Sequence, residues 1–123
     1  YAQASQTIAV NVNTHTQMKQ FFQTHAIAYR EAKVWTTDGF YRETRNKVER
    51  MKAAGYTCVD MECSALAALA QFRRKRIAQF FYSADNLDQK QWDKRSLGNA
   101  ENIEVKKNIV DIAMQLSLQL ASE

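Results

Sequence analysis

The chain has 123 residues, of which 46% are hydrophobic, 24% charged and 11% aromatic, the mix of a globular unit rather than a disordered one. Three glycines, no proline and no repeated tract exclude collagen-like and low-complexity classes. With 17 basic against 13 acidic residues the net charge is +4, mildly basic, which suits an anionic ligand but not a dedicated nucleic-acid binder.

No stretch of about 18 uncharged apolar residues is present, so no membrane span is expected. Tyr1–Val10 lacks a basic segment followed by an apolar one, so it does not read as a signal peptide. Tyr1 is not an initiator methionine, and a stretch from within a longer protein is expected. Cys58 and Cys63, in a chain without a secretion signal, are expected to be reduced, in a cytoplasmic protein.

Thr7–Val12 (T-I-A-V-N-V) has the β-branched alternation of a short strand. Thr14 with Gln17 three residues on resembles a capping box. After it Met18, Phe21, Phe22, His25 and Tyr29 fall at helical spacing, which predicts an amphipathic helix to about Tyr29. Lys33–Thr37 (K-V-W-T-T) is β-prone and ends at the turn dipeptide Asp38-Gly39. A second helix is expected from Glu43 to Ala54, with Val48 and Met51 inward and Gly55 in the left-handed position after its last turn.

Tyr56–Asp60 (Y-T-C-V-D) is uncharged until its last residue, as in a parallel strand covered on both faces. The helix expected from Glu62 to Phe72 is apolar nearly all round, which predicts burial. Arg73–Arg76 reads as a basic turn, Ile77–Ser83 (I-A-Q-F-F-Y-S) as a strand, and Ala100–Leu120 as a last helix. That helix has Val105, Ile109, Ile112, Ala113, Leu116 and Leu120 in one stripe. The order β-α-β-α-β-α-β-α implies an α/β three-layer sandwich, a mostly parallel or mixed sheet with helices on both faces. No linker or internal repeat divides it, so one domain, or half of one, is expected.

In open α/β sheets ligands bind outside the carboxyl ends of the strands. Three expected strands end there in acids: Asp38-Gly39-Phe40-Tyr41, Asp60-Met61-Glu62 and Ser83-Ala84-Asp85-Asn86. Carboxylates beside an aromatic pair describe a polar pocket with a stacking wall, suited to a ligand rich in hydroxyls and ring nitrogens. Each has a plainer reading as well. Asp38 suits a helix cap, Phe40 and Tyr41 a lid on the core, Asp60 and Glu62 the positive end of a helix, and Asp85-Asn86 a turn.

Val59-Asp60-Met61-Glu62-Cys63-Ser64-Ala65 resembles the V-E-M-E-x-x-A signature of the purine nucleoside phosphorylase and uridine phosphorylase superfamily, which includes the methylthioadenosine/S-adenosylhomocysteine nucleosidases. Trp35-Thr36-Thr37-Asp38-Gly39-Phe40-Tyr41 resembles that family's strand ending in Asp-x-Phe. Phe80-Phe81-Tyr82-Ser83-Ala84-Asp85-Asn86-Leu87 resembles its later strand ending in Ser-Asp. The resemblance runs from about Thr7 to Leu120 and implies a phosphorylase-like fold.

It also implies roles. Glu62 accepts hydrogen bonds from the ribose hydroxyls, Met61 packs on the sugar, and Asp60 stands at a sugar-side position where the signature has glutamate. Phe40 and Tyr41 lie against the base, and Asp85 is the acid that protonates a purine ring nitrogen. Ala84 stands where the family usually has serine. The family's phosphate site, a glycine loop with arginines, has no counterpart among the scattered Gly39, Gly55 and Gly98. The chain therefore resembles the C-terminal half of such an enzyme. A half-sheet with an open edge is expected to need the other strands or a partner, and to be inactive alone.

The expected function of the intact protein is cleavage of purine nucleosides by phosphorolysis, with phosphate as co-substrate and no cofactor. A homo-oligomer is expected, without membrane or nucleic-acid partners. The alternatives are a hydrolytic nucleosidase, or a non-catalytic remnant or binding module of the same fold. Arg73–Arg76, with Arg42, Arg45, Lys47, Arg50 and Lys52 nearby, reads as solvated surface, because no nucleic-acid motif accompanies it. His15 and His25 stand ten apart with no ligand cluster, so no metal is expected.

Overall fold

The computed structural model of the chain describes residues 7–10, 12–83 and 103–122. The chain divides into two compact units, Tyr1–Gln79 and Phe80–Glu123.

In the first unit, helix α1 (Val12–Thr24) buries Thr14, Met18, Phe21 and Phe22. Their spacing of four, three and one places them on one helical face. Phe21 and Phe22 meet edge-on with ring centroids 5.9 Å apart, and Phe22 meets Tyr29 at 5.4 Å. The helix starts two residues before Thr14, which is a buried residue inside α1 rather than its cap. It also stops short of Tyr29. Ala26 turns left-handed (φ 53°), the Ile27 N–H donates to the Phe22 carbonyl at 2.8 Å and the Ala26 N–H to that of Gln23 at 3.2 Å. This is a Schellman ending made without glycine. An ion pair of 2.6 Å from Lys19 to Glu31 ties the following segment back to the helix. That hydrogen bond is the main cause that raises the Lys19 pKa and lowers that of Glu31.

Strand β1 (Lys33–Thr36), helix α2 (Arg45–Ala53) and strand β2 (Tyr56–Asp60) form a β-α-β unit with the two strands parallel. Val34 pairs with Cys58, Trp35 with Val59 and Thr36 with Asp60, after an irregularity between Lys33 and Val34. Trp35 is buried, with the Lys47 ammonium of α2 at 5.0 Å from its ring centroid. Gly55 (φ 84°) closes α2 in the left-handed conformation its position predicts, its N–H bonded to the Lys52 carbonyl at 2.9 Å.

Helix α3 (Cys63–Arg73) buries only Ala67 and Ala70, whereas Leu69 and Phe72 are 54% and 61% exposed. The expectation of burial all round is therefore corrected. Apolar composition states what a helix would bury, and burial itself depends on what packs against each face. The helix ends in a second Schellman turn at left-handed Arg74 (φ 51°), with the Lys75 N–H bonded to the Ala70 carbonyl at 2.8 Å.

Two expected strands are not formed. Thr7–Val10 has no regular structure and Val12 already belongs to α1. The Ala9 carbonyl accepts from the Gln71 side chain at 2.9 Å instead of from a neighbouring strand. Ile77–Ser83 is likewise irregular. Its Gln79 uses its side chain to grip Cys63, accepting from the thiol at 3.1 Å and donating to the carbonyl at 3.4 Å. A β-prone sequence becomes a strand only when a neighbour supplies a backbone ladder, and β1 and β2 supply theirs to each other.

In the second unit, helix α4 (Ile103–Ser122) has Leu116 buried and Ile109, Ile112 and Leu120 half-buried along the expected stripe, while Val105 and Ala113 are exposed. The described elements make an α/β structure with a short parallel sheet, in keeping with an incomplete phosphorylase-like sandwich.

Candidate active site

Because β1 and β2 run parallel and Thr36 pairs with Asp60, the segments that follow them leave from the same end of the sheet. The ladder extends one step further, with the Thr37 N–H donating to the Asp60 carbonyl at 2.9 Å. The β1 exit therefore begins in register with the β2 exit. Two of the three acidic strand ends expected at one rim are brought together. The third, with Asp85 and Ala84, lies outside the described residues.

On the β1 side, Thr37 is buried and donates its hydroxyl to the Gly39 carbonyl at 3.3 Å, which closes a tight turn. Phe40–Arg42 then forms a single 3-10 turn. Asp38 does not cap it through a side-chain hydrogen bond, because its carboxylate turns to the Arg42 guanidinium at 3.4 Å. Phe40 and Tyr41 are 76% and 72% exposed and meet edge-on with centroids 5.8 Å apart. They form no lid on the core. Gly39 matters to their placement, since a Cβ there would stand 2.6 Å from the Tyr41 ring.

On the β2 side, Asp60 is the most engaged residue of the rim. Its Oδ1 accepts the Thr36 hydroxyl at 2.9 Å. Its Oδ2 accepts the backbone N–H groups of Glu62 at 3.1 Å and Cys63 at 2.6 Å. Thr36 Oγ1 in turn accepts the Ser64 N–H at 3.1 Å. Amides at the start of α3, which has no acid in its first turn, are thus met by a carboxylate and a hydroxyl from the two strand ends. Met61 and Glu62 occupy the two-residue bend between β2 and α3, both exposed. Among the described residues no hydrogen bond or ion pair engages the Glu62 carboxylate, and the residue is exposed.

Cys58 and Cys63 are both free thiols. Burial, and then the negative charge of Asp60, push the Cys63 thiol above its usual range, so it stays protonated beside the rim. Sequence reasoning did not single out Thr36, Ser64 or Gln79. Their roles depend on strand register and on which way the chain turns after α3, neither of which a residue pattern encodes. Among the described residues no group of His, Cys, Asp and Glu is placed to hold a metal ion, and no helix is long and apolar enough to cross a membrane.

The bend that carries the Met61-Glu62 pair thus stands at the carboxyl end of a parallel strand, with the Phe40-Tyr41 pair following the neighbouring strand. The family model described as the phosphorylase superfamily matches residues 3–121. The chain belongs to the phosphorylase superfamily. Comparison with curated proteins finds no match. Superfamily membership carries the general class of chemistry, that of nucleoside phosphorylases and nucleosidases acting on a bound nucleoside.

Proposed function

We propose that the intact protein cleaves the N-glycosidic bond of purine nucleosides by phosphorolysis. The observation that carries this reading is the common rim. In a chain that matches the superfamily over residues 3–121, the parallel register of β1 and β2 sets Met61-Glu62 and Phe40-Tyr41 at one end of the sheet. Glu62 accepts the ribose 2′- and 3′-hydroxyls, and Met61 packs on the sugar. Phe40, with Tyr41, stacks against the base, which agrees with two large aromatic rings left exposed beside a polar bend.

In the reaction the C1′–N bond breaks with its electron pair going to the purine, and Asp85 gives its proton to a ring nitrogen of the departing base. A phosphate oxygen forms the new bond to C1′, giving a sugar 1-phosphate. Carboxylates near the sugar favour the positive charge that develops on it. Phosphate is the co-substrate and no cofactor takes part. The working form is a homo-oligomer without nucleic-acid partners, and two free thiols fit a reducing, cytoplasmic setting.

The test is base release from inosine, guanosine, adenosine and uridine by the intact protein, followed by chromatography with and without inorganic phosphate. Release from the purine nucleosides only when phosphate is present, together with a sugar 1-phosphate, is the expected result. Equal release without phosphate would replace phosphorolysis by hydrolysis. No release from any of the four would leave the chain as a non-catalytic member of the fold. In an active enzyme, Asp85→Asn is expected to lower kcat by about 10²–10⁴-fold.

A further inference from the structure

Asp60 carries the strongest unexplained geometry in the molecule. The resemblance gives its position a sugar-side role, yet three hydrogen bonds engage its half-buried carboxylate within the chain: from the Thr36 hydroxyl, and from the Glu62 and Cys63 amides. A carboxylate offers about four acceptor sites in all. Bonds to the amides two and three residues ahead are those of a short acidic side chain that caps a helix start, a geometry suited to the reach of aspartate. The cap is doubled, because Thr36 Oγ1, itself bonded to Asp60, accepts the Ser64 N–H at 3.1 Å. A single connected cluster therefore joins the last residue of β1, the last residue of β2 and three consecutive amides at the start of α3.

We propose that Asp60 and Thr36 are positioning residues that hold the Met61-Glu62 bend so that Glu62 faces the sugar, and that Asp60 is not itself a sugar ligand. This rests on the proposed nucleoside-cleaving function of the rim. Met61 and Glu62 are the only residues between β2 and α3, so fixing the end of the strand and the first amides of the helix fixes the bend. The Glu62 backbone is bonded at both ends, its N–H to Asp60 and its carbonyl to the Leu66 N–H at 3.0 Å, while its side chain remains exposed. The cluster thus immobilises the backbone of the residue proposed to bind the sugar and leaves its carboxylate available. Misplacing such a group by about 1 Å is enough to cost on the order of 10²-fold in rate.

The experiment uses the intact protein with Thr36→Val, Thr36→Ser, Asp60→Asn, Asp60→Glu and the Thr36→Val/Asp60→Asn pair. Steady-state kinetics on a nucleoside substrate are combined with amide hydrogen exchange at Glu62, Cys63 and Ser64. Thr36→Val, which removes a hydroxyl with no place at the sugar, is expected to lower kcat/KM by about 10- to 100-fold. It should also speed exchange at those three amides, and Thr36→Ser should restore both. The double variant should lose little more than Asp60→Asn alone, since the two residues act as one device. Asp60→Glu, which lengthens the side chain to that of the signature, should weaken activity; a gain would mark Asp60 as a sugar ligand limited by reach and overturn the proposal. So would a Thr36→Val enzyme with unchanged kcat/KM but exposed amides. If the wild-type protein cleaves no nucleoside, the functional reading fails on its own. Amide exchange then still decides the cluster, because unchanged protection in Thr36→Val and Asp60→Asn would show that it holds nothing.

Discussion

Helices α1 and α3 of the first unit invert the simplest expectation about burial. α1 is polar on one side, with Asn13, Gln17, Lys19, Gln20 and Gln23 in its sequence, yet it buries two phenylalanines and a methionine. α3 is the more apolar helix and buries only two alanines. Hydrophobic stabilisation follows area removed from water, roughly 25 cal/mol per Å², and not the area a helix offers. Large side chains on α1 and small ones on α3 thus carry the core, and the leucines of α3 stand largely apart from it.

The largest effects should come from the α1 side. Phe21, 1% exposed, is expected to cost about 3–5 kcal/mol on replacement by alanine, against less than about 0.5 kcal/mol for Leu69→Gln on the exposed side of α3. Urea denaturation of the two variants measures the contrast directly, and comparable losses would break it. Next comes the small-residue face of α3. Ala67 is as buried as Phe21, so Ala67→Leu should destabilise by about 1–3 kcal/mol through overpacking, whereas the same enlargement at exposed Ala65 should be near neutral.

The two helix ends offer a smaller and opposite effect. Ala26 and Arg74 hold left-handed backbone that glycine adopts without strain. Ala26→Gly and Arg74→Gly are each expected to stabilise by about 1 kcal/mol or less, read as a rise in Tm. The smallest effect is at the start of α3. The fold raises the Cys63 pKa, so it favours the neutral thiol. That contribution is complete below the ordinary thiol pKa of about 8.5 and is lost as pH rises through the higher folded value. Stability should therefore fall on going alkaline, with a shallower fall in Cys63→Ala. Alkylation of Cys63 at pH 8 should be slow in the wild type and faster in Asp60→Asn, which removes the charge that opposes the thiolate.

Much of the rim was legible from residues alone. Tyr56–Asp60 is a strand with the expected bounds, Lys33–Thr36 lies within its expected range, and Gly55 closes α2 as its position requires. These are local properties: β-branched and aromatic runs, bounded by turn residues, have few other conformations to adopt. Thr14-Gln17 misled because a threonine suits a cap and a buried helical position alike, and only the packing of α1 chose between them. Thr7–Val12 and Ile77–Ser83 misled because strand propensity says nothing about whether an edge is at hand to pair with. Asp60 was visible as an acid at a helix start, but its coupling to Thr36, twenty-four residues earlier, depends on the β1–β2 register.

The amino-acid order alone determined which segments favour helix or strand, that acids and aromatics follow the strands, and that the chain carries a phosphorylase-superfamily signature, since each depends on neighbours a few residues away. Tertiary structure alone decided which strands found a partner, which apolar face was covered, and that Asp60 turns inward to α3 while Glu62 stays open. Those outcomes depend on groups far apart in the chain, whose meeting is set by packing and register rather than by local preference.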